Sequence, residues 1–142
     1  MRMQDAQGES YPSKATIVAA EPQLLVTDIK RSCEFFSQKL GFTLIFSYGR
    51  PPYYAQVGRD SARLNLRCVK PTMIESSVRD REELLSVSMT VASKDEIKFL
   101  FREFQSAGAA FHQKLKKQPW GARTFIVKDP DGNLLLFAGP AN

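Results

Sequence analysis

The sequence predicts an α+β fold in which two tandem βαβββ modules form a mixed sheet with the helices on one face. Two amphipathic helical patterns lie 65 residues apart, measured between their capping residues Asp28 and Ser93. Each pattern follows a short strand of alternating apolar residues and precedes three short apolar runs. The same order of elements therefore occurs twice, which is typical of a fold built from an internal repeat.

The length of the chain, 142 residues, suits one domain. Residues 1–14 are polar and lack periodicity, so we expect a disordered N-terminal arm, to which no function is assigned. The single domain then spans 15–142, with the first module at 15–70, a polar linker at 71–83 and the second module at 84–142.

Two observations predict where the protein resides. No apolar run approaches the roughly 20 residues that cross a bilayer, and the N-terminus lacks the apolar core of a secretion signal. Cys33 and Cys68 show no metal or redox spacing, which favours a reducing compartment. We therefore expect a cytoplasmic protein without a membrane partner.

The two helices have clear start and stop signals. The first is expected to begin after Asp28 and to end at Gly41. The second begins after Ser93, which forms an S-x-x-E capping box with Glu96, and it ends at Gly108. The apolar stripes that connect these signals are Ile29, Cys33, Phe36 and Leu40 in the first helix, and Ile97, Leu100, Phe101, Phe104 and Ala107 in the second.

The strands precede and follow these helices. One strand precedes each helix, at 24–26 and 87–91. The apolar runs that follow the helices lie at 43–48, 53–58 and 62–68 in the first module, and at about 109–113, 123–128 and 134–138 in the second. The last two runs are joined by the sequence DPDGN, in which Pro130 and Gly132 suit a β-turn between paired strands.

The period of two in a strand sorts these residues onto two faces of the sheet. The helix-facing set is apolar: Leu24, Val26, Ala62, Leu64, Leu66, Val87, Met89, Val91, Leu135 and Phe137. The opposite set, which would line the cavity, is mixed and largely polar: Gln23, Leu25, Arg63, Asn65, Arg67, Ser86, Ser88, Thr90, Leu134 and Leu136.

The stretch at 118–140, with PWG followed by R-x-F-x-V-x-DPDGN-LL-x-F, resembles the closing hairpin of the vicinal oxygen chelate superfamily. This superfamily holds glyoxalases, extradiol dioxygenases and bleomycin-resistance proteins, and the sequence looks most like the last of these. Near the start, Pro22-x-x-Leu25-Val26-x-Asp28 with Phe35-Phe36 and Leu40-Gly41-Phe42 is similar to the first strand and helix of the family. The resemblance implies the two-module fold, in which the sheet is curved around a concave cavity and the helices lie on the convex face. Because members commonly pair so that crevices form between modules, the resemblance also implies a homodimer.

The resemblance also implies where a metal would bind. In the metal-using branches the ligands come from the first and fourth strands of each module, and the corresponding positions here are Glu21, Asn65, Ser86 and Leu136. Glu21 alone offers a carboxylate, and Leu136 replaces the glutamate of the family hairpin. His112, the single histidine, lies away from these positions and is expected to be structural or at the surface. We therefore expect no metal, no cofactor and none of the metal-dependent catalysis of the superfamily.

No other arrangement in the sequence identifies a catalytic residue. His112 has no serine in a nucleophile elbow to activate, and no glycine-rich phosphate loop is present. Glu21 could act as a lone general base if it were buried, and a role at a helix cap or rim is its alternative. An enzyme of the lyase, isomerase or dioxygenase type with an atypical or absent metal site stays open as the second hypothesis.

The preferred hypothesis is a metal-independent protein that binds or sequesters a small molecule. The candidate ligand-binding residues are Arg63, Asn65, Arg67, Ser88, Thr90, Trp120, Ile126 and Leu136. Because guanidinium groups bind carboxylates, phosphates and aromatic planes, we expect an anionic or flat aromatic ligand. Alternatively, the two arginines lie at an exposed margin where their stems cover the sheet, and Trp120 packs as a core aromatic at the start of a strand.

Charge argues against bleomycin as that ligand. The net charge is +5, and residues 104–128 hold five basic side chains and no acid: Lys114, Lys116, Lys117, Arg123 and Lys128. This segment is either a solvated face or a surface that attracts anions, whereas bleomycin-type drugs are cationic. Nucleic acid is the weakest partner hypothesis, because no RNA-stacking or helix-turn-helix signature accompanies the lysines.

Overall fold

The computed structural model describes residues 14–142, so the predicted arm at 1–14 falls outside the described residues except for Lys14. The strands are β1 (Gln23–Val26), β2 (Thr43–Tyr48), β3 (Tyr54–Arg59), β4 (Ala62–Cys68), β5 (Val87–Thr90), β6 (Phe111–Lys117), β7 (Ala122–Lys128) and β8 (Leu134–Pro140). The α-helices are α1 (Ile29–Leu40), α2 (Ser76–Arg81) and α3 (Lys94–Ser106). None of these helices is long and apolar enough to cross a membrane.

The strands form two four-stranded sheets of identical topology. The first sheet has the order β1-β4-β3-β2 and the second has the order β5-β8-β7-β6. In each sheet the first strand of the module is parallel to the fourth, and the remaining neighbours are antiparallel. The predicted α+β fold with two βαβββ modules is confirmed, and its mixed sheet is divided into one half per module.

The two predicted helices begin and end as expected. The Asp28 carboxylate accepts the Arg31 N–H at 3.0 Å, and the Ser93 hydroxyl accepts the Glu96 N–H at 3.1 Å, so both N-caps form. Gly41 follows α1 with a φ of 70°, a left-handed conformation that glycine adopts without the steric cost of a side chain. Capping signals in the sequence therefore locate both helices.

The strand β6 differs from its prediction. It spans Phe111–Lys117, whereas the apolar run placed a strand at about 109–113. The second half of β6 carries exposed Lys114, Lys116 and Lys117, so a prediction based on apolar runs places a loop there. Because β6 lies at the edge of its sheet, lysines are tolerated there and protect the edge from pairing with other chains.

One hydrophobic core joins the two modules. Helix α1 packs on β2, β3 and β4, α3 packs on β7 and β8, and the two helices contact each other. Of the predicted helix-facing residues, six are buried: Leu24, Val26, Leu64, Leu66, Leu135 and Phe137. The other four, Ala62, Val87, Met89 and Val91, are half-buried against the same core. The opposite side of each sheet, here called its outer face, therefore points away from this shared core.

Candidate functional site

Two rows of side chains cross the outer face of the first sheet. The strand register aligns Leu25, Arg67, Tyr54 and Tyr48 in one row, and Gln23, Asn65, Gln56 and Phe46 in the next. Phe46 and Tyr54 stack across the rows with their ring centroids 6.2 Å apart. Phe46 and Tyr48 are 44% and 59% exposed, so aromatic surface lies open beside the polar groups.

Arg67 and Arg63 have different environments although both lie on the outer side of β4. Arg67 is exposed, and no hydrogen bond or ion pair within residues 14–142 uses its guanidinium. The Arg63 guanidinium instead donates to the carbonyl oxygens of Asp60 and Ala62 at 2.9 and 2.8 Å. A Cβ placed on Gly58 would come within 2.7 Å of Arg63, because the arginine lies across this glycine. Arg63 therefore covers its own hairpin, whereas Arg67 keeps an exposed guanidinium.

Gln56 joins two of the four positions that correspond to family metal ligands. Its amide Nε2 donates to Glu21 Oε1 at 3.1 Å and to Asn65 Oδ1 at 2.9 Å. The other two positions lie on the second module, where Ser86 Oγ donates to Asn133 Oδ1 at 3.0 Å and Leu136 offers no donor atom. These four positions do not suit a divalent ion, because they offer one carboxylate, one amide already paired with Gln56, one hydroxyl and one alkyl group. Glu21 is also exposed, so the burial that a general base would need is missing.

The outer face of the second sheet is less charged. Ser88, Leu136 and Ile126 are neighbours across β5, β8 and β7, and Ile126 is 2% exposed. Beside them Gln118 Nε2 donates to Thr124 Oγ1 at 2.8 Å, and Thr124 Oγ1 donates to Gln113 Oε1 at 3.2 Å. This face therefore combines an apolar centre with neutral hydrogen-bonding groups.

The tryptophan and the basic segment lie at the margin of the second sheet. Trp120 lies in the turn between β6 and β7 and is 73% exposed, so the alternative of a core aromatic is wrong. Two basic groups of the segment at 104–128 have acidic neighbours from elsewhere: Lys128 pairs with Asp80, and His112 contacts Asp80 and Glu83 at 3.3 and 3.1 Å. The exposed Lys114, Lys116 and Lys117 keep the basic character of this margin.

The turn between β7 and β8, residues 129–133, connects the two modules and is here called the closing turn. The Asp131 carboxylate accepts the Thr27 hydroxyl at 2.6 Å and the Arg31 guanidinium at 3.0 Å. Asn133 Nδ2 donates to the Leu25 carbonyl oxygen at 3.0 Å and to Asp129 Oδ2 at 2.8 Å. These contacts fix β1, and with it Leu25, relative to the second module.

Asp129 is the more deeply buried of the two carboxyl groups in the closing turn. Its side chain accepts the N–H groups of Asp131 and Asn133 at 2.9 and 2.7 Å. Burial raises the pKa of Asp129 to about 6, and the hydrogen bonds from Asn133 and Asp131 partly offset this effect. The sequence marks these residues as turn formers, but it does not reveal this long-range network.

The structure brings some of the predicted site residues together and separates others. Asn65 and Arg67 share the outer face of the first sheet, whereas Ser88, Ile126 and Leu136 share that of the second. Thr90 lines a separate cavity between the modules. Sequence reasoning found Ile126 on β7 but missed further outer-face residues of β2, β3, β6 and β7 that the same period-two phasing would have found: Phe46, Gln56, Gln113 and Thr124.

Comparison with known proteins gives consistent relatives. The sequence pattern of the Glyoxalase/Bleomycin resistance protein/Dioxygenase superfamily matches residues 17–137. The bleomycin resistance protein of Geobacillus stearothermophilus is 29% identical over 124 residues, which cover 82% of this chain and 92% of that protein. The family match includes nearly all of the residues that the structure describes.

Solved structures share the fold at low sequence identity. A glyoxalase/bleomycin resistance protein/dioxygenase from Alicyclobacillus acidocaldarius has a TM-score of 0.70 at 19% identity, with 87% of this chain and 91% of that chain covered. The bleomycin-binding protein of Streptomyces verticillus, solved with copper(II)-bleomycin, has a TM-score of 0.64 at 23% identity, with 87% and 97% covered. At these identities the likeness concerns the fold.

Proposed function

Because the chain belongs to the glyoxalase/bleomycin resistance protein/dioxygenase superfamily, we propose that it binds or sequesters a small anionic or flat aromatic molecule without a metal ion. The observation that carries the proposal is the outer face of the first sheet, where the exposed Arg67 stands beside Tyr54 and the amide of Asn65. A guanidinium binds carboxylates in a fork geometry, and neighbouring aromatic rings add stacking surface. The site therefore combines a hydrogen-bond donor for anions with a flat, partly apolar platform.

The charge of this chain favours a ligand different from the bleomycin after which the relatives are named. Bleomycin-type drugs are cationic, whereas Arg67 and the exposed lysines of β6 present positive charge. A cationic ligand would meet like charges, which disfavour association. We therefore assign the relatives' fold to this chain and propose a different class of ligand.

The donor set supports binding without a metal. Glu21 and Asn65 are both hydrogen-bonded to Gln56, and Leu136 contributes no ligand atom. No reaction step is assigned to these residues, because the side chains that would hold a divalent ion in the family are absent from their positions. Elemental analysis of protein purified without chelators should find no stoichiometric transition metal, and one bound ion per chain would contradict this part of the proposal.

The arrangement of the two outer faces supports a homodimer. Both faces point away from the core of their own chain, and a crevice between a first and a second sheet would form where two chains pair. Apolar side chains on β2 are available to the partner, since Leu44 and Phe46 are 48% and 44% exposed. A cytoplasmic location, which suits the free Cys33 and Cys68, is part of the same proposal.

A ligand panel tests the proposal directly. Thermal unfolding should respond to 2-naphthoate, a flat aromatic anion, more than to bleomycin, because a ligand that binds the folded state raises its stability. The variant Arg67→Glu should abolish the response, whereas Arg63→Gln should keep it, because Arg63 is bound to its own hairpin. Stabilisation by bleomycin that is unaffected by Arg67→Glu would refute the charge argument.

A further inference from the structure

A cavity of about 550 Å³ lies between the two modules, and of the outer-face set predicted from strand phase it is lined by Thr90 alone. The turn between β3 and β4 forms one side, and β5 and α3 form the other. Its floor is apolar and aromatic: Phe42, Met89, Leu100, Phe104 and Phe137. This volume is within the range of small-molecule sites, roughly 300–1,000 Å³.

The rim of the cavity is acidic. It includes the three carboxylates of Asp60, Glu96 and Glu103 and the one guanidinium of Arg59. Arg59 is already neutralised, because its Nη1 and Nη2 donate to the two oxygens of Glu103 at 2.6 and 2.9 Å. Asp60 is 91% exposed and lies 3.8 Å from Arg59 Nε, so Asp60 and Glu96 leave the rim with excess negative charge.

Aromatic rings at this cavity already face cations. The guanidinium carbon of Arg59 lies 5.9 Å from the centroid of Phe104, and that of Arg102 lies 5.9 Å from the centroid of Phe99. Arg102 is not among the residues that line the cavity, and its charge adds to that of Arg59 against the three carboxylates of the rim. Cations are attracted to aromatic faces at such distances.

We propose that this inter-module cavity is a second ligand site, selective for a small organic cation with an aromatic or aliphatic body. The apolar floor takes the body of the ligand, and the ammonium group lies at the rim near Asp60 and Glu96. The site is independent of the outer faces, whose exposed arginine favours the opposite charge. The chain thus offers two surfaces of opposite charge preference.

Calorimetric titration with three probes of similar shape tests this site: phenethylammonium, the neutral 2-phenylethanol and the anionic 3-phenylpropionate. The titrations use Arg67→Gln, in which the proposed anion site of the outer face is removed. Phenethylammonium should bind this variant with a Kd of about 1 mM or below, and the other two probes should bind it more weakly. No saturable binding of phenethylammonium below about 10 mM, or equal binding of the neutral and cationic probes, would overturn the proposal.

Two variants locate the binding. Leu100→Trp fills the floor and should abolish binding of phenethylammonium. Ser61→Lys, at an exposed position of the rim, adds a positive charge without changing the core and should weaken binding about two- to fivefold. If Leu100→Trp does not fold, Ser61→Lys decides the question. Ser37→Lys, the same change at an exposed position of α1 that does not line the cavity, is the matched control and should leave phenethylammonium binding unchanged. An unchanged affinity in Ser61→Lys would place the probe elsewhere and overturn the proposal.

Discussion

The closing turn and the outer face of the first sheet are both polar, but their polar groups find partners in different ways. In the closing turn, Asp129, Asp131 and Asn133 are buried and hydrogen-bonded within the chain. On the outer face, Arg67 is exposed and its guanidinium has no partner among residues 14–142. Substitutions in the closing turn should therefore affect folding, whereas substitutions on the outer face should affect binding.

The largest effect is expected at Asn133, which is 2% exposed. Its replacement by alanine leaves Asp129 Oδ2 and the Leu25 carbonyl oxygen without their donor. Each unsatisfied buried group costs about 1–3 kcal/mol, so Asn133→Ala should lower the free energy of unfolding by about 4 kcal/mol. Asn65→Ala is the matched control on the half-exposed outer face, and chemical denaturation should show a loss of about 0.5 kcal/mol there. Equal losses would remove the distinction between the two regions.

The next effect concerns pH and Asp129. Its pKa is raised from 3.8 to about 6 in the folded protein, so the folded state holds a proton that the unfolded chain has released between these values. Stability from this group is therefore present below pH 3.8 and is lost as pH rises through about 6. Asp129→Asn has no carboxyl group to titrate at this position. Relative to this variant, the free energy of unfolding of the native chain should fall by up to about 3 kcal/mol as the pH rises from 3.8 to about 6.

Denaturation curves of both proteins between pH 4 and 7 check this prediction. The carboxyl of Asp80, whose pKa the Lys128 ammonium lowers, titrates in both chains and cancels in the difference. A difference in unfolding free energy that stays constant over this range would show that burial does not control Asp129.

A smaller effect is expected at the contact between the modules. Thr27 donates its hydroxyl to Asp131 at 2.6 Å, and Asp131 keeps Arg31 as a second partner. Thr27→Val preserves the shape of the side chain and removes the hydroxyl, so the unfolding free energy should fall by about 1–2 kcal/mol. A loss as large as that of Asn133→Ala would indicate that Asp131, rather than Asn133, is the centre of the network.

The smallest effect on stability is expected at Gln56, on the outer face. Gln56→Leu removes the donor shared by Glu21 and Asn65, but Glu21 is exposed and Asn65 is half-exposed, so water can replace it. The free energy of unfolding should change by less than about 0.5 kcal/mol. Binding of 2-naphthoate should nevertheless weaken, because Asn65 loses the neighbour that orients it.

Local signals in the sequence were enough to predict most of the fold. Asp28 and Ser93 as N-caps, Gly41 after α1 and the alternation along β4 and β5 depend on near neighbours in the chain, and the structure confirms them. The strand β6 was misplaced because its lysines lie on an exposed edge, where burial does not impose an apolar pattern.

The candidate site was harder to predict from the sequence than the fold. Arg63 and Arg67 have the same strand phase, and the difference between them arises from the hairpin carbonyl groups that Arg63 reaches. The role of Asn133 depends on Leu25, which lies 108 positions away in the chain. Such pairings follow from how the two modules pack, and a single sequence carries no local signal for them.

We propose above that the exposed guanidinium of Arg67 selects an anionic flat ligand on the outer face of the first sheet. The most direct test compares 2-naphthoate with 2-naphthylmethylammonium by calorimetric titration of the native chain and of Arg67→Glu. The native chain should prefer the anion at least about tenfold, and the variant should lose or reverse this preference. A preference that Arg67→Glu leaves unchanged, in a variant that is as stable as the native chain, would contradict the claim.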